Sequence, residues 1–344
     1  MSQTTPAIQY EYDFRPETGE AMDIGSGLKW LRLPLPFLLG HINVWLLRDG
    51  AGWALVDTGI FTNTTREVWE DVLKSYLAGA PITRVLVTHL HPDHVGCAGW
   101  LADKFDVDLW MSRDEYLLCR VLVADTGREA PPEGTKFYSA AGFSDKSLDR
   151  YKAMFGRFGQ VVARMPESYR RLREGMKLTI GEHQWQIMIG RGHSPEHACL
   201  YCEELNILIS GDQILPTISS NVSVYPTEPA ANPLAFWFES LHRLQQDLPE
   251  DVLVLPAHGK PFRGAQIRLD ELITEHQTGL DKLRALCAEP KRALEVFPAL
   301  FRSRITDNNL IMATGEAIAH LHYLWYREEL TIDSDENGVK WYQT

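Results

Sequence analysis

The sequence predicts an α/β fold in which the ends of successive strands deliver polar side chains to one place. Three observations carry this. Short apolar runs of strand length alternate with segments of helical periodicity through most of the 344 residues. One run, Val85, Leu86 and Val87, breaks at once into His89, His91, Asp93 and His94, with Pro92 stopping any further ladder pairing. Three later apolar runs also end in small or turn residues beside His193, Asp212 and His258.

Residues 1–27 read as a poorly periodic lead-in. Residues 28–33 form a first strand, and 41–47 and 53–56 pair across the Asp49-Gly50 turn. Asp57-Thr58-Gly59 ends the second of that pair. Residues 65–77 are helical, and the next strand is the one that breaks into the histidines. Three imidazoles and a carboxylate suit a core poorly, because each needs a polar partner once buried. They suit a metal well, since neutral imidazole and carboxylate oxygen are the usual ligands of zinc-like ions. Residues 99–104 follow as helix and 107–111 as strand.

Residues 113–173 read as a helical insertion. Helical spacing marks RDEYLLCRVLV and RYKAMFGRFGQVV, and the stretch between them, with its Pro and Gly residues, reads as a loop. The insertion is expected to roof the polar site. Tyr138, Phe155 and Phe158 would hold an apolar group there, and Arg150 or Arg157 would meet an anionic one. Strands at 185–189, 200–201, 207–209 and 253–255 then lead to His193, Asp212 and His258. Cys199 and Cys202 lie within one strand, where residues three apart face opposite sides, so packing explains them better than a metal knuckle.

Composition narrows the function classes. The formal net charge is −12, which disfavours a general nucleic-acid binder. No apolar run approaches the ~20 residues of a membrane span. The polar, acidic N-terminus has no apolar signal core, and five scattered cysteines make no disulfide framework. A reduced, cytoplasmic protein is the expectation.

The motif His89-x-His91-x-Asp93-His94 after an apolar strand resembles the signature of the metallo-β-lactamase superfamily. The resemblance spans residues 28–275 and implies a four-layer αββα sandwich, within a hydrolase domain at 28–288. It implies two divalent metal ions, zinc above others. His89, His91 and His193 would bind one ion, Asp93, His94 and His258 the other, and Asp212 would bridge them. Asp57 would orient a metal-bound His, and His197 lies outside the family's ligand pattern. Zinc β-lactamases commonly place a Cys at the position of Asp212, and the di-iron relatives a Glu at that of His91. The pattern is closer to glyoxalase II, the lactonases and thioesterases, and the nuclease branches. Leu215 stands where quorum-quenching lactonases carry a Tyr, which speaks against a homoserine-lactone substrate.

The implied chemistry is hydrolysis of an ester, thioester or lactone in a small acyl substrate by a metal-bridging hydroxide, with Asp93 passing the proton to the leaving group. Residues 289–344 read as a separate unit. Helices at 293–301 and 316–328, the latter capped by Thr314, precede a hairpin around residues 334–338. This resembles the winged-helix-like tail of the β-lactamase-like mitochondrial endoribonuclease group. The tail's turn, DSDEN, is acidic, the wrong sign for phosphate contacts. It is expected to serve as a packing, lid or homodimer element, with no nucleic acid or membrane as partner. Two alternatives stay open: an endoribonuclease of that group, and a mononuclear iron dioxygenase of the persulfide type.

Overall fold

The computed structural model describes residues 7–36 and 39–344. The chain opens with a two-residue strand, β1 (Gln9–Tyr10). Seven strands then pair side by side in chain order: β2 (Ala21–Gly25), β3 (Leu28–Pro34), β4 (His41–Asp49), β5 (Gly52–Val56), β6 (Ile82–Leu86), β7 (Leu109–Met111) and β8 (Arg170–Arg171). The second sheet uses β9 (Lys177–Ile180), β10 (His183–Gly190), β11 (His197–Cys202), β12 (Ile207–Gly211), β13 (Leu253–Pro256) and β14 (Phe262–Arg263). Its spatial order is β1-β14-β13-β12-β11-β10-β9. A hairpin, β15 (Thr331–Ser334) and β16 (Lys340–Gln343), closes the chain.

Among the described residues, ten helices cover the sheets: α1 (Asn63–Ser75), α2 (Pro92–Val95), α3 (Ala98–Phe105), α4 (Arg113–Ala124), α5 (Pro132–Ala140), α6 (Asp145–Met154), α7 (Pro233–Asp247), α8 (Ala265–Leu286), α9 (Phe297–Leu300) and α10 (Leu310–Tyr326). Three cores define four layers. Trp30, Trp45 and Leu47 of the first sheet meet Trp185, Ile187 and Leu255 of the second. The first sheet's other face packs Val44, Leu46 and Val85 against Trp69, Val72 and Leu101 of α1 and α3. The second sheet's other face packs Leu208 and Val254 against Trp237, Leu269 and Leu321 of α7, α8 and α10. The result is an αββα sandwich. Cys199 belongs to the outer core and Cys202 to the inner one. No helix of the described residues is long and apolar enough to cross a membrane.

Several expectations change. The lead-in at 1–27 carries β1, which pairs with β14, and β2, which pairs with β3; its first six residues lie outside the described residues. Strands of two and five residues give too few alternations to reveal a period. The expected loop between the two helical stretches of the insertion contains α5, which starts on Pro132. Proline suits that first position because its missing N–H would have no partner there. α6 stops at Met154 and a 3₁₀ turn follows, because Gly156 takes a φ of 70°. The expected helix at 293–301 is a 3₁₀ turn and the short α9, with Pro298 near its start. α10 begins at Leu310, so Thr314 is not its cap; the Thr314 hydroxyl donates to the Leu310 carbonyl at 2.7 Å. α7 has no counterpart in the expectations.

Two parallel pairs position the site. β5 and β6 run in parallel, as do β12 and β13. The C-terminal ends within each pair therefore open at one edge. The insertion α4–α6 lies between β7 and β8, which are themselves neighbours, so it loops out without disturbing the sheet.

Candidate metal centre

The loop after β6 carries His89, His91, Asp93 and His94, the last two within α2. His193 follows β10, Asp212 follows β12 and His258 follows β13. The fold gathers all seven. Donor atoms of His89, His91, His193 and Asp212 lie within 4.8 Å of one another, and so do those of Asp93, His94 and His258. In the first set, His89 Nε2 is 2.8 Å from His91 Nδ1 and 3.3 Å from His193 Nε2. Asp212 Oδ2 is 3.4 Å from His193 Nε2. In the second, Asp93 Oδ2 is 3.3 Å from His258 Nε2 and 3.7 Å from His94 Nε2. Asp212 faces both: Oδ2 is 3.5 Å from His94 Nε2, and Oδ1 is 3.5 Å from His258 Nε2.

These separations fit metal ligation. Donors about 2.1 Å from one ion at a tetrahedral angle are about 3.4 Å apart. Two buried atoms, His94 Nε2 and Asp212 Oδ1, have no hydrogen-bond partner among the described residues, and a cation between the sets would satisfy both. Protonation agrees. Burial, helped by the neighbouring imidazoles, pushes His89 well below its usual range and His91 down to about 3. Both are thus neutral and able to ligate. Burial opposes charge on Asp212, but His94 and His258 outweigh it and hold the carboxyl well below the usual range. Asp93 is lowered against burial in the same way. Burial also opposes charge on His94, yet Asp212, Asp57 and Asp93 raise it well above its ordinary value. That concentration of carboxylate is what a divalent cation neutralises.

Four of the five rings are aimed by a hydrogen bond at the other nitrogen. His94 Nδ1 lies 2.8 Å from Asp57 Oδ2, and Asp57 also accepts from the Thr88 backbone N–H at 2.8 Å. His89 Nδ1 is 3.0 Å from the Thr88 hydroxyl. His193 Nδ1 donates to the Asn221 carbonyl at 2.7 Å, and His258 Nδ1 to the His41 carbonyl at 2.9 Å. Asn43 fastens the His258 loop from β4, donating to the carbonyls of Pro256 and Gly259 at 2.8 Å each. His197 accepts the Asp212 backbone N–H at 3.1 Å, so it holds the loop rather than joining the ligand sets.

Sequence reasoning missed one buried acid. Glu115 of α4 accepts from the Leu90 N–H at 2.9 Å, the Ser194 hydroxyl at 2.6 Å and the Glu196 N–H at 2.8 Å. It thereby ties the insertion to the two loops that supply the histidines of the first ligand set. Burial outweighs those bonds and raises its pKa.

A cavity of about 920 Å³ opens beside the first set, with His91 and His193 in its wall. Leu118, Leu122, Tyr138, Phe155 and Phe158 of the insertion line it, together with Ser223, Tyr225 and Pro226. Arg157 is not in this wall. It is exposed and caps the 3₁₀ turn, so the turn that brings Phe158 to the cavity leaves Arg157 at the surface. Arg150 is engaged elsewhere, donating to Asn308 at 2.7 Å. The arginine in the wall is Arg191, two residues before His193. It also lines an adjoining cleft of about 320 Å³ with Arg171, Arg173 and Arg243.

Comparison with known proteins agrees with this arrangement. A crystal structure of a beta-lactamase domain protein from Burkholderia ambifaria superimposes with a TM-score of 0.90 at 41% identity, covering 98% of each chain. A probable metallo-hydrolase of Bacillus subtilis (strain 168) is 25% identical over 319 residues, 90% of this chain and 95% of its own. An acyl-coenzyme A thioesterase of Bos taurus is 25% identical over 191 residues, 56% of this chain and 64% of its own. Residues 280–344 match the family described as "Metallo-beta-lactamase-like, C-terminal domain". With residues 38–258 matching the family of that name and the histidine loop lying at the sandwich edge, the chain belongs to the metallo-beta-lactamase superfamily.

Proposed function

We propose that the protein is a binuclear metal-dependent hydrolase that cleaves an ester or thioester, with zinc as the metal. The observation that carries this reading is the cavity: its wall shares His91 and His193 with the first ligand set and is otherwise largely apolar. An acyl chain placed there would present its carbonyl carbon to the metal centre. The relatives named as a metallo-hydrolase and an acyl-coenzyme A thioesterase support the same reading.

His89, His91 and His193 would hold one ion, Asp93, His94 and His258 the other, and Asp212 would contact both. Bound divalent ions supply a nucleophilic water at neutral pH and an electrophile for the carbonyl oxygen. The protein's part is orientation. Asp57, Thr88, Asn221 and His41 fix the imidazoles, while the insertion and the segment around Tyr225 shield the acyl group from water. Asp93, partly open and 3.3 Å from His258 Nε2, is placed to carry a proton away. A thiol or alcohol leaving group asks little more.

Charge helps to define the substrate. The cavity wall includes Asp114, Glu133, Glu196 and Glu228 against Arg191, the wrong sign for threading a polyanion, which counts against an endonuclease. In the adjoining cleft, Arg243 pairs with Glu174 at 3.1 Å and Arg171 faces Glu196 at 3.9 Å. Arg173 and Arg191 form no ion pair among the described residues and are free to meet an anionic group on the leaving side of a small-molecule substrate.

Metal analysis followed by a substrate panel tests the proposal. Two zinc ions per chain and turnover of acyl thioesters or esters are expected. Phosphate-bearing thioesters should be preferred over the corresponding pantetheine thioesters, and Arg191→Ala should remove the preference. One iron per chain with oxygen consumption would overturn the reading in favour of a dioxygenase. Cleavage of single-stranded RNA that weakens with salt would overturn it in favour of a nuclease.

A further inference from the structure

The C-terminal part of the chain reaches the metal centre through one half-buried side chain. Glu316 lies on α10, and its Oε2 accepts from Asn221 Nδ2 at 2.7 Å. Asn221 is the residue whose carbonyl receives His193 Nδ1 at 2.7 Å. Its remaining side-chain atom, Oδ1, accepts from the Ser223 hydroxyl at 2.5 Å. The carbonyl, the amide nitrogen and the amide oxygen of Asn221 are thus all engaged, which fixes its orientation.

The helix and this segment are also in close backbone contact. Val224 N–H donates to the Gly315 carbonyl at 3.0 Å, and the Ser223 hydroxyl lies 3.3 Å from the Met312 carbonyl. A Cβ on Gly315 would sit 2.8 Å from Ser223 Cβ, so a larger residue there would push the helix away. Tyr326 and His322 hold the same segment further along, bonding to the carbonyls of Ala230 at 2.7 Å and Ala231 at 3.0 Å. His94, His89 and His258 find their orienting partners within the two sheets and their loops: Asp57 and Thr88 beside β5 and β6, and His41 on β4. The chain of bonds behind His193 alone leaves them and ends on α10.

We infer that Glu316 is a positioning residue for His193, acting through Asn221, so that the C-terminal domain is a working part of the metal centre. With Nδ1 donating to a fixed carbonyl, His193 Nε2 keeps its lone pair for the ion. The inference rests on the reading of His193 as a metal ligand. Zinc titration of the metal-free protein against a chromophoric chelator tests both and separates them. Wild-type protein should take up two ions. Glu316→Gln, which still offers an oxygen to Asn221 Nδ2, should keep both affinities. Glu316→Leu should weaken one ion tenfold or more and leave the other unchanged, as removal of a ligand's orienting partner does. Asn221→Ala should do the same, and the double variant should be no worse than either single one.

Unchanged binding of both ions by a folded Glu316→Leu protein would overturn the inference. So would a Gln variant as weak as the Leu variant, or loss of both affinities together with the melting temperature of the metal-free protein. If Glu316→Leu does not fold, Asn221→Ala decides by the same criteria. Wild-type protein that takes up no zinc would instead overturn the metal reading itself.

Discussion

Glu115→Ala is the most informative single change outside the ligand sets. The carboxylate accepts from two backbone N–H groups, Leu90 at 2.9 Å and Glu196 at 2.8 Å, and from the Ser194 hydroxyl at 2.6 Å. The hydroxyl can rotate to another acceptor, but the backbone groups cannot. Each buried N–H left without a partner costs about 1–3 kcal/mol, so the two together cost about 2–6 kcal/mol. Against this, the substitution relieves the desolvation of a fully buried carboxyl, whose raised pKa marks that penalty. A net loss of about 1–4 kcal/mol remains, and it falls on the two loops that carry His89, His91 and His193. Urea unfolding with and without zinc should show the variant less stable in both states, with the larger loss in the zinc-loaded protein. A variant within about 0.5 kcal/mol of wild type, with unchanged zinc uptake, would refute the view that this acid anchors the ligand loops.

Other outcomes follow from the same geometry. Asp212→Ala should fold, retain at most one ion and lose at least about a hundredfold in activity, because its two oxygens face both ligand sets; metal analysis and turnover check this. Phe155→Ala should raise KM for a long-chain acyl substrate and leave zinc content unaltered, since Phe155 is a half-buried part of the cavity wall away from the ligands. Gly192→Ala should destabilise by well over about 1 kcal/mol, because φ is 109° there and a Cβ would meet Trp237 Cβ at 2.6 Å; thermal unfolding reads it. The His276–His320 pair, 3.0 Å apart between α8 and α10, should make the protein acid-sensitive. Burial pushes His276 down to about 3 and His320 to about 4, so both are neutral when folded and take up protons near pH 6.5 when unfolded. Stability should therefore be full above about pH 6.5 and fall as pH drops towards 4, by about 1.4 kcal/mol per pH unit for each ring. His320→Gln should remove about one proton from that slope.

The ligand sets were legible because each follows the same local grammar, a short apolar run broken by a turn residue beside a His or Asp. Strand ends need no tertiary knowledge to be found in this way. Glu115 was not legible. It sits in RDEYLLCRVLV among other charged residues, and only the approach of two distant loops makes it buried. Asn221 lies in a segment with no periodicity, and it acts partly through a backbone carbonyl that any residue type would supply. α5 was hidden by its Pro131-Pro132 start, a helix opening that also looks like a break. Arg157 was chosen for its charge, yet the direction of a side chain after a 3₁₀ turn is set by backbone geometry that composition does not encode. Arg191 occupies the corresponding place on the cavity wall and was overshadowed by the histidine two residues later.

The proposed ligands come from both sheets, four from the loop after β6 and three from loops after β10, β12 and β13. This sets a timetable for the protein's maturation. The histidine loop leaves the ribosome early, but neither proposed ion has its full set of donors until later strands are made, and the second waits for His258. The growing chain can therefore hold metal only loosely, through the early loop alone. Full loading marks the docking of the two sheets and joins them across a long stretch of sequence. A cell short of metal would accumulate chains in which the two sheets are joined by their shared apolar core alone.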